Sequence, residues 1–150
     1  MPDNTMHQQE QRFSDLMQRM DRLYEAYAKA KGMTYMSMTV LECICTHRES
    51  CTQKLICEET HYPKQSVNLI VKSFWQEGLV ALEELPEDRR NKRIVLTEKG
   101  EGYAKQTVLE LWRIDEAATA QLTERQREEL LRLLTVYADA YEKGVQAAID

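Results

Sequence analysis

The sequence predicts a mainly α fold, of the α+β kind, with one small β-hairpin beyond its middle. Three observations carry that prediction. Apolar residues recur at three- and four-residue steps through most of the chain, the period of helices with one buried face. Only Leu79–Leu85 and Lys92–Leu96 are rich enough in Val, Ile and Leu to read as strands. Gly32, Gly78 and a series of Ser, Thr and Pro residues fall where helices would stop and start.

Taken in order, residues 1–9 read as a loose tail. A first helix follows from about residue 10 to Gly32, its apolar stripe formed by Phe13, Leu16, Met17, Met20, Leu23 or Tyr24, and Tyr27. Thr34 to Thr46 is a second helix, with Met38, Leu41, Ile44 and Cys45 inward. A short third helix comes after His47–Ser50. Its N-cap is either Ser50, which has Gln53 at capping-box spacing, or Thr52. Pro63 is placed at the first helical position of a fourth helix running to Gln76. That helix turns Val67, Ile70, Val71 and Phe74 inward, and Lys64, Gln65, Asn68 and Lys72 to the other side. Pro86–Asn91 joins the two strands. Thr97 caps one long helix to about Ala120, and Thr123 with Gln126 forms a capping box for the last helix. The terminal helices, at ~1.5 Å per residue, are too long to pack wholly on a small core, so they are expected to pack against a second copy of the chain.

The bulk numbers exclude several classes. At 150 residues the chain reads as a single domain, 1–150, and 43% hydrophobic with 30% charged residues describes a globular protein. No apolar run approaches the ~18 residues that suggest a membrane span, and Met1-Pro2-Asp3-Asn4 lacks the order of a signal peptide. A cytoplasmic protein with no membrane partner is expected. The net charge of -5 argues against indiscriminate coating of nucleic acid, but charge is uneven. Residues 52–97 balance 7 Lys/Arg against 7 Asp/Glu, whereas residues 98–150 carry 7 against 11. The dense positive cluster is Arg89-Arg90-Asn91-Lys92-Arg93, and such a local feature can bind phosphate on an acidic molecule. No Gly-rich phosphate cradle and no nucleophile–base pairing is present, so no enzymatic activity and no cofactor is expected.

Several motifs now fall in order: Thr52-Gln53-Lys54-Leu55, then Pro63-Lys64-Gln65-Ser66-Val67-Asn68, then Gly78-Leu79-Val80, then Asp88-x-Arg90 closing in Leu96-Thr97-x-x-Gly100. With these motifs the sequence resembles the MarR (multiple antibiotic resistance regulator) family of bacterial transcription factors, over nearly its whole length. The resemblance implies a winged helix-turn-helix over 34–97, with the wing at 79–96. It implies dimerisation helices at 10–32 and 98–150. It further implies a homodimeric repressor that binds double-stranded DNA and is released by a small, often aromatic effector.

By that resemblance Thr52, Gln53, Pro63, Lys64, Gln65, Ser66 and Asn68 would meet the DNA. Gln65 and Asn68 suit bidentate contacts to adenine, and Lys72 suits phosphate. Arg90 at the wing would enter the minor groove, held by an ion pair from Asp88, with Arg89, Lys92 and Arg93 adding backbone contacts. The residues alone leave open a plainer alternative, that these are a solvated helix face and a solvated turn, or a winged-helix module for protein interaction. By the same resemblance Tyr24, Tyr27, Tyr35, Met36 and Met38 are the candidate effector pocket, although ordinary core or dimer interface is the favoured reading for most of them.

The cysteines Cys43, Cys45, Cys51 and Cys57 offer a second, thiol- or metal-sensing alternative. Cys43/His47 and Cys57/His61 are each four apart, but there is no Cys-x-x-Cys and His61 falls in a turn, so no metal site is assigned. The family's peroxide-sensing branch carries its reactive cysteine near the start of the first helix, where this chain has none.

Overall fold

A computed structural model describes residues 4–149, which form two compact units, one ending at Leu109 and the other beginning at Glu110. The first holds α1 (Asn4–Ala30), α2 (Tyr35–Thr46), α3 (Gln53–Thr60), α4 (Lys64–Gln76), β1 (Val80–Leu85), β2 (Asp88–Leu96), α5 (Glu98–Gln106) and the start of α6 (Val108–Thr119). The second holds the rest of α6 and α7 (Glu124–Ile149). The winged helix fold is thereby observed. Among the described residues no helix is long and apolar enough to cross a membrane.

Local chemistry sets the boundaries. Thr34, Thr52 and Thr97 cap α2, α3 and α5, each hydroxyl accepting the backbone N–H three residues on, at 3.0–3.1 Å. Thr52, not Ser50, is thus the cap of α3. Thr123 and Gln126 form the expected capping box: Gln126 Oε1 accepts the Thr123 N–H at 2.9 Å, and Thr123 Oγ1 accepts the Gln126 N–H at 3.3 Å. Gly32 (φ 78°) and Gly78 (φ 73°) take the left-handed conformation and close α1 and α4 with paired bonds of the Schellman type. In the second, Leu79 N–H reaches Phe74 O at 2.8 Å and Gly78 N–H reaches Trp75 O at 3.0 Å.

Four expectations need correction. Residues 4–9 are helical, because α1 begins at Asn4; residues 1–3 of the expected tail lie outside the described residues. Pro63 is the N-cap of α4 rather than its first helical residue (φ -57°, ψ 137°). The single long helix after Thr97 is two helices, broken at Thr107 (φ -123°, ψ -81°). There Thr107 is buried, its hydroxyl donates to Tyr103 O at 2.8 Å, and its carbonyl takes the Tyr27 hydroxyl at 2.8 Å. Those bonds satisfy the backbone at the break in place of helix continuation.

The fourth correction is the wing. β1 and β2 pair antiparallel from Val80↔Leu96 to Glu84↔Lys92, then jump to Leu85↔Asp88. The expected six-residue loop is therefore a two-residue turn, Pro86–Glu87, with Arg89–Asn91 bulged out of register. The wing's base is fastened to the segment before α3: Ile94 N–H donates to Cys51 O at 2.8 Å, and Thr52 bridges to Arg93.

The core of the first unit is closed and apolar. Met38, Val40, Leu41, Ile44, Ile56, Val67, Val71 and Ile94 are at most 1% exposed. At ~1.5–3 kcal/mol for each fully buried large side chain, these contacts are the main force that seats α4 and the wing. Ile70, expected inward with Val67, Val71 and Phe74, is half-buried. Gly100 is required by a close approach: a Cβ there would lie 1.9 Å from the Leu79 carbonyl oxygen.

Candidate nucleic-acid interface

Helix α4 presents its polar residues along one exposed face. Gln65, Asn68 and Lys72 are exposed, and Ser66 is half-buried. Leu69, which the sequence reading left without a role, is 63% exposed on the same stripe. Its spacing from Gln65 carried the signal, but an isolated leucine in an amphipathic helix reads as core. Pro63 offers α4 no side-chain cap hydrogen bond.

Beside the start of α4 a groove of about 430 Å³ runs between α3 and the wing. It is lined by Gln53, Lys54, Cys57 and Glu58 from α3, Lys64 from α4, and Leu82, Arg90, Asn91 and Lys92 from the hairpin. Four cations thus face one carboxylate, and that carboxylate is loosely engaged by Lys54 at 3.8 Å. Of the residues singled out from sequence, the groove gathers Gln53, Lys64, Arg90 and Lys92. Lys54 and Asn91 were missed, because their place depends on the hairpin folding back toward α3. Thr52 is half-buried and engaged as the α3 cap, and Arg89 is exposed on the bulge.

The expected Asp88–Arg90 ion pair takes another form. Asp88 Oδ1 accepts the backbone N–H of Arg90 at 3.0 Å, and Oδ2 accepts the Asn91 side-chain amide at 2.7 Å. A two-residue spacing suits an Asx turn, which ties backbone rather than guanidinium. The Asn91 bond, then the Arg90 N–H, hold the Asp88 carboxyl below its ordinary range. Arg93 differs from its neighbours. Its guanidinium is paired across the hairpin with Glu83, through Nε at 3.2 Å and through Nη2, while Nη1 reaches Glu49 O at 3.4 Å. Arg93 is therefore a fastening of the wing base rather than an outward contact as expected.

The tyrosine–methionine cluster is engaged internally. Met38 is fully buried, and Met36 is half-buried. The Tyr24 and Tyr35 rings meet at 4.6 Å, tilted by 55°. Tyr24 donates to Glu42 and lies 3.3 Å from Thr39 Oγ1, and burial followed by the Glu42 carboxylate raises its phenol far above the ordinary value. Tyr27 donates to Thr107 O. Of the thiols, Cys43, Cys45 and Cys51 are buried and Cys57 is half-buried, and burial pushes Cys45 up to about 11.

A polar helix face flanked by a basic, hairpin-walled groove, on a winged helix-turn-helix scaffold, defines the class: a DNA-binding transcriptional regulator. Comparison narrows it. Residues 31–91 match the MarR family model. The chain is 25% identical to NMB1585, a MarR family regulator from Neisseria meningitidis, over 96% of this chain and 98% of that one, with a TM-score of 0.73. Staphylococcus aureus MarR, solved with salicylate and kanamycin, superposes at TM-score 0.70 with 20% identity over 93% of this chain and 95% of that one. Staphylococcus aureus MepR in its DNA complex superposes at 0.66 with 18% identity, over 86% and 94%. A search of curated proteins by sequence finds no match. Residues 31–91 are thus similar to the MarR family, and the fold over nearly the whole chain is that of MarR family regulators.

Proposed function

We propose that the protein is a homodimeric repressor that reads a pseudo-palindromic operator and releases it when a small aromatic molecule binds. The observation that carries the reading is the basic groove between α3, the start of α4 and the wing, continuous in sequence with the exposed face of α4. In this reading α4 enters the major groove. Gln65 and Asn68 address adenine edges, and Leu69 gives a thymine methyl an apolar partner. The uncapped first turn of α4, with Lys64 and Lys72, takes phosphate and fixes the register. Arg90 and Lys92, with Arg89 beside them on the bulge, follow the backbone into the minor groove, where narrow A/T-rich tracts concentrate negative potential.

The exposed apolar faces of α1 and α7 support a two-fold partner, and two-fold symmetry sets half-sites about 34 Å apart. The salicylate bound by Staphylococcus aureus MarR supports an aromatic effector for this chain too. Release would then be a population shift away from the DNA-competent spacing of the two α4 helices.

Selection of bound duplexes from a random pool, followed by anisotropy titrations, tests this. Binding should be specific and fall steeply with salt. Gln65→Ala should cost ~1–3 kcal/mol and relax preference at one base position. Arg90→Ala should weaken binding and flatten the salt slope by about one unit. No selected sequence, or full affinity in both variants, removes the proposal.

A further inference from the structure

Away from the groove, on the other side of α3, three metal-binding side chain types converge. Cys43 lies in the last turn of α2, and His47, four residues on, is the helix's C-cap, its N–H donating to the Cys43 carbonyl at 3.0 Å. Glu59 of α3 meets both: its Oε1 lies 2.7 Å from His47 Nε2, and its Oε2 accepts the Cys43 thiol at 3.6 Å. The three donor atoms all lie within 4.8 Å of one another. Cys43 is buried, whereas the His47 and Glu59 side chains are 27% and 44% exposed, so the cluster has a dry floor and a side open to solvent. Cys51 is fully buried, and the neighbouring Cys43 thiol, together with burial, pushes the Cys51 thiol up.

We propose that Cys43, His47 and Glu59 bind a divalent transition-metal ion of the zinc class, with water or Cys51 in the fourth position. The donor set selects the ion. A soft sulfur with an imidazole suits zinc and its neighbours and is wrong for magnesium or calcium, which take oxygen ligands. Ligand bonds of ~2.0–2.3 Å about a tetrahedral centre place neighbouring donors ~3.3–3.8 Å apart. The cluster reaches that spacing by a side-chain contraction of about 1 Å, within the reach of rotamers at a partly open site. Binding removes the proton that Cys43 gives to Glu59, and the ion takes over the bridge between the two helices. The plainer role is a thiol–carboxylate–imidazole hydrogen-bond cluster that only joins α2 to α3, and the two are separated by titration.

The test uses the full chain, reduced and freed of metal by chelator, titrated with Co²⁺ and then Zn²⁺. One Co²⁺ per chain is expected, with ligand-field bands of tetrahedral intensity and a thiolate charge-transfer band, all abolished by Zn²⁺. His47→Gln and Glu59→Gln, both at partly exposed positions, should each weaken Co²⁺ binding by more than the ~10-fold that even an outer-shell change causes. Cys43→Ser should remove the charge-transfer band, and Cys57→Ser should leave the Co²⁺ affinity and spectrum as they are. Circular dichroism checks the fold of each variant, and if Cys43→Ser does not fold, the His47 and Glu59 variants decide alone. Absence of saturable one-to-one binding, a spectrum without the thiolate band, or affinity unmoved by both exposed variants overturns the site.

Discussion

The reading head and the last helix are built on opposite terms. From α2 to α5 nearly every element puts residues into a shared closed core, with Met38, Leu41, Ile56, Val67 and Ile94 at most 1% exposed. Helix α7 has no buried residue, and Leu130, Leu131, Leu133, Leu134, Val136 and Tyr137 all stand at least 37% exposed. Helix α1 follows the same pattern at Leu16, Met17, Met20 and Leu23. The head satisfies its own hydrophobic demand, whereas α1 and α7 leave a series of large apolar side chains exposed. Folding of the head is one chemical problem, and covering the long helices is another.

The largest effect should come from attacking the uncovered side. Leu134 is the least exposed leucine of α7, at 37%. Leu134→Glu should convert the protein to monomer at micromolar concentration while the helical spectrum is retained. Loss of the second reading head should weaken operator binding by at least ~100-fold, the scale of lost bivalency. Sedimentation velocity reads the first result and anisotropy the second, and a dimer that survives the change contradicts the proposed interface.

A pair of glycines sharpens the same contrast from the packing side. Gly100→Ala forces a Cβ against the Leu79 carbonyl, which is main chain and cannot rotate away. Overpacking of that kind should cost ~3 kcal/mol in urea denaturation. Gly144→Ala lies within α7, where a Cβ meets nothing within 4 Å. Relief of glycine's entropy there should stabilise the protein by ~0.5–1 kcal/mol. Equal responses at the two positions would erase the distinction drawn above.

How far the sequence reveals this molecule follows the same division. Periodicity, caps and the two C-terminal glycines are local signals, and they located α2, α3, α4, β1 and α7 to within a few residues. The break at Thr107 was hidden because one of its partners is Tyr27, 80 residues earlier, whose hydroxyl donates to the carbonyl at the break. Arg93 read as one more cation of the wing, since its partners Glu83 and Glu49 come from a neighbouring strand and a distant loop. The polar stripe of α4 was legible as a face. Lys54 was not, because only the folded hairpin turns α3 into a groove wall. Glu59 likewise joined Cys43 and His47 only once α3 was seen to pack on α2.

The smallest effect concerns the wing tip. The folded-state carboxyl of Asp88 is lowered by the Asn91 amide and the Arg90 N–H. Its contribution to tip order is therefore present above the unfolded value near ~3.9, and is lost as pH falls through the folded one. Amide resonances of residues 88–91 should hold steady from pH 7 to ~5 and shift only in more acid solution, below the ordinary carboxylate range. In Asp88→Asn that acid transition should vanish while the core resonances stay in place. A transition near neutrality would point to another group.

The attachment of Cys51 and Thr52 to Ile94 and Arg93 gives the hairpin the mechanics of a cantilever. It is clamped at its root by main-chain bonds and by the Arg93 guanidinium, and its ladder loses register beyond Glu84, so stiffness falls toward the tip. Such a beam can carry Arg90 to a fixed neighbourhood and still let the tip follow a surface of varying width. Helix α4, seated in the core by Val67, Val71 and Phe74, has no such give. One chain thus carries two probes of unlike compliance, one that rejects a misfit and one that adapts to it.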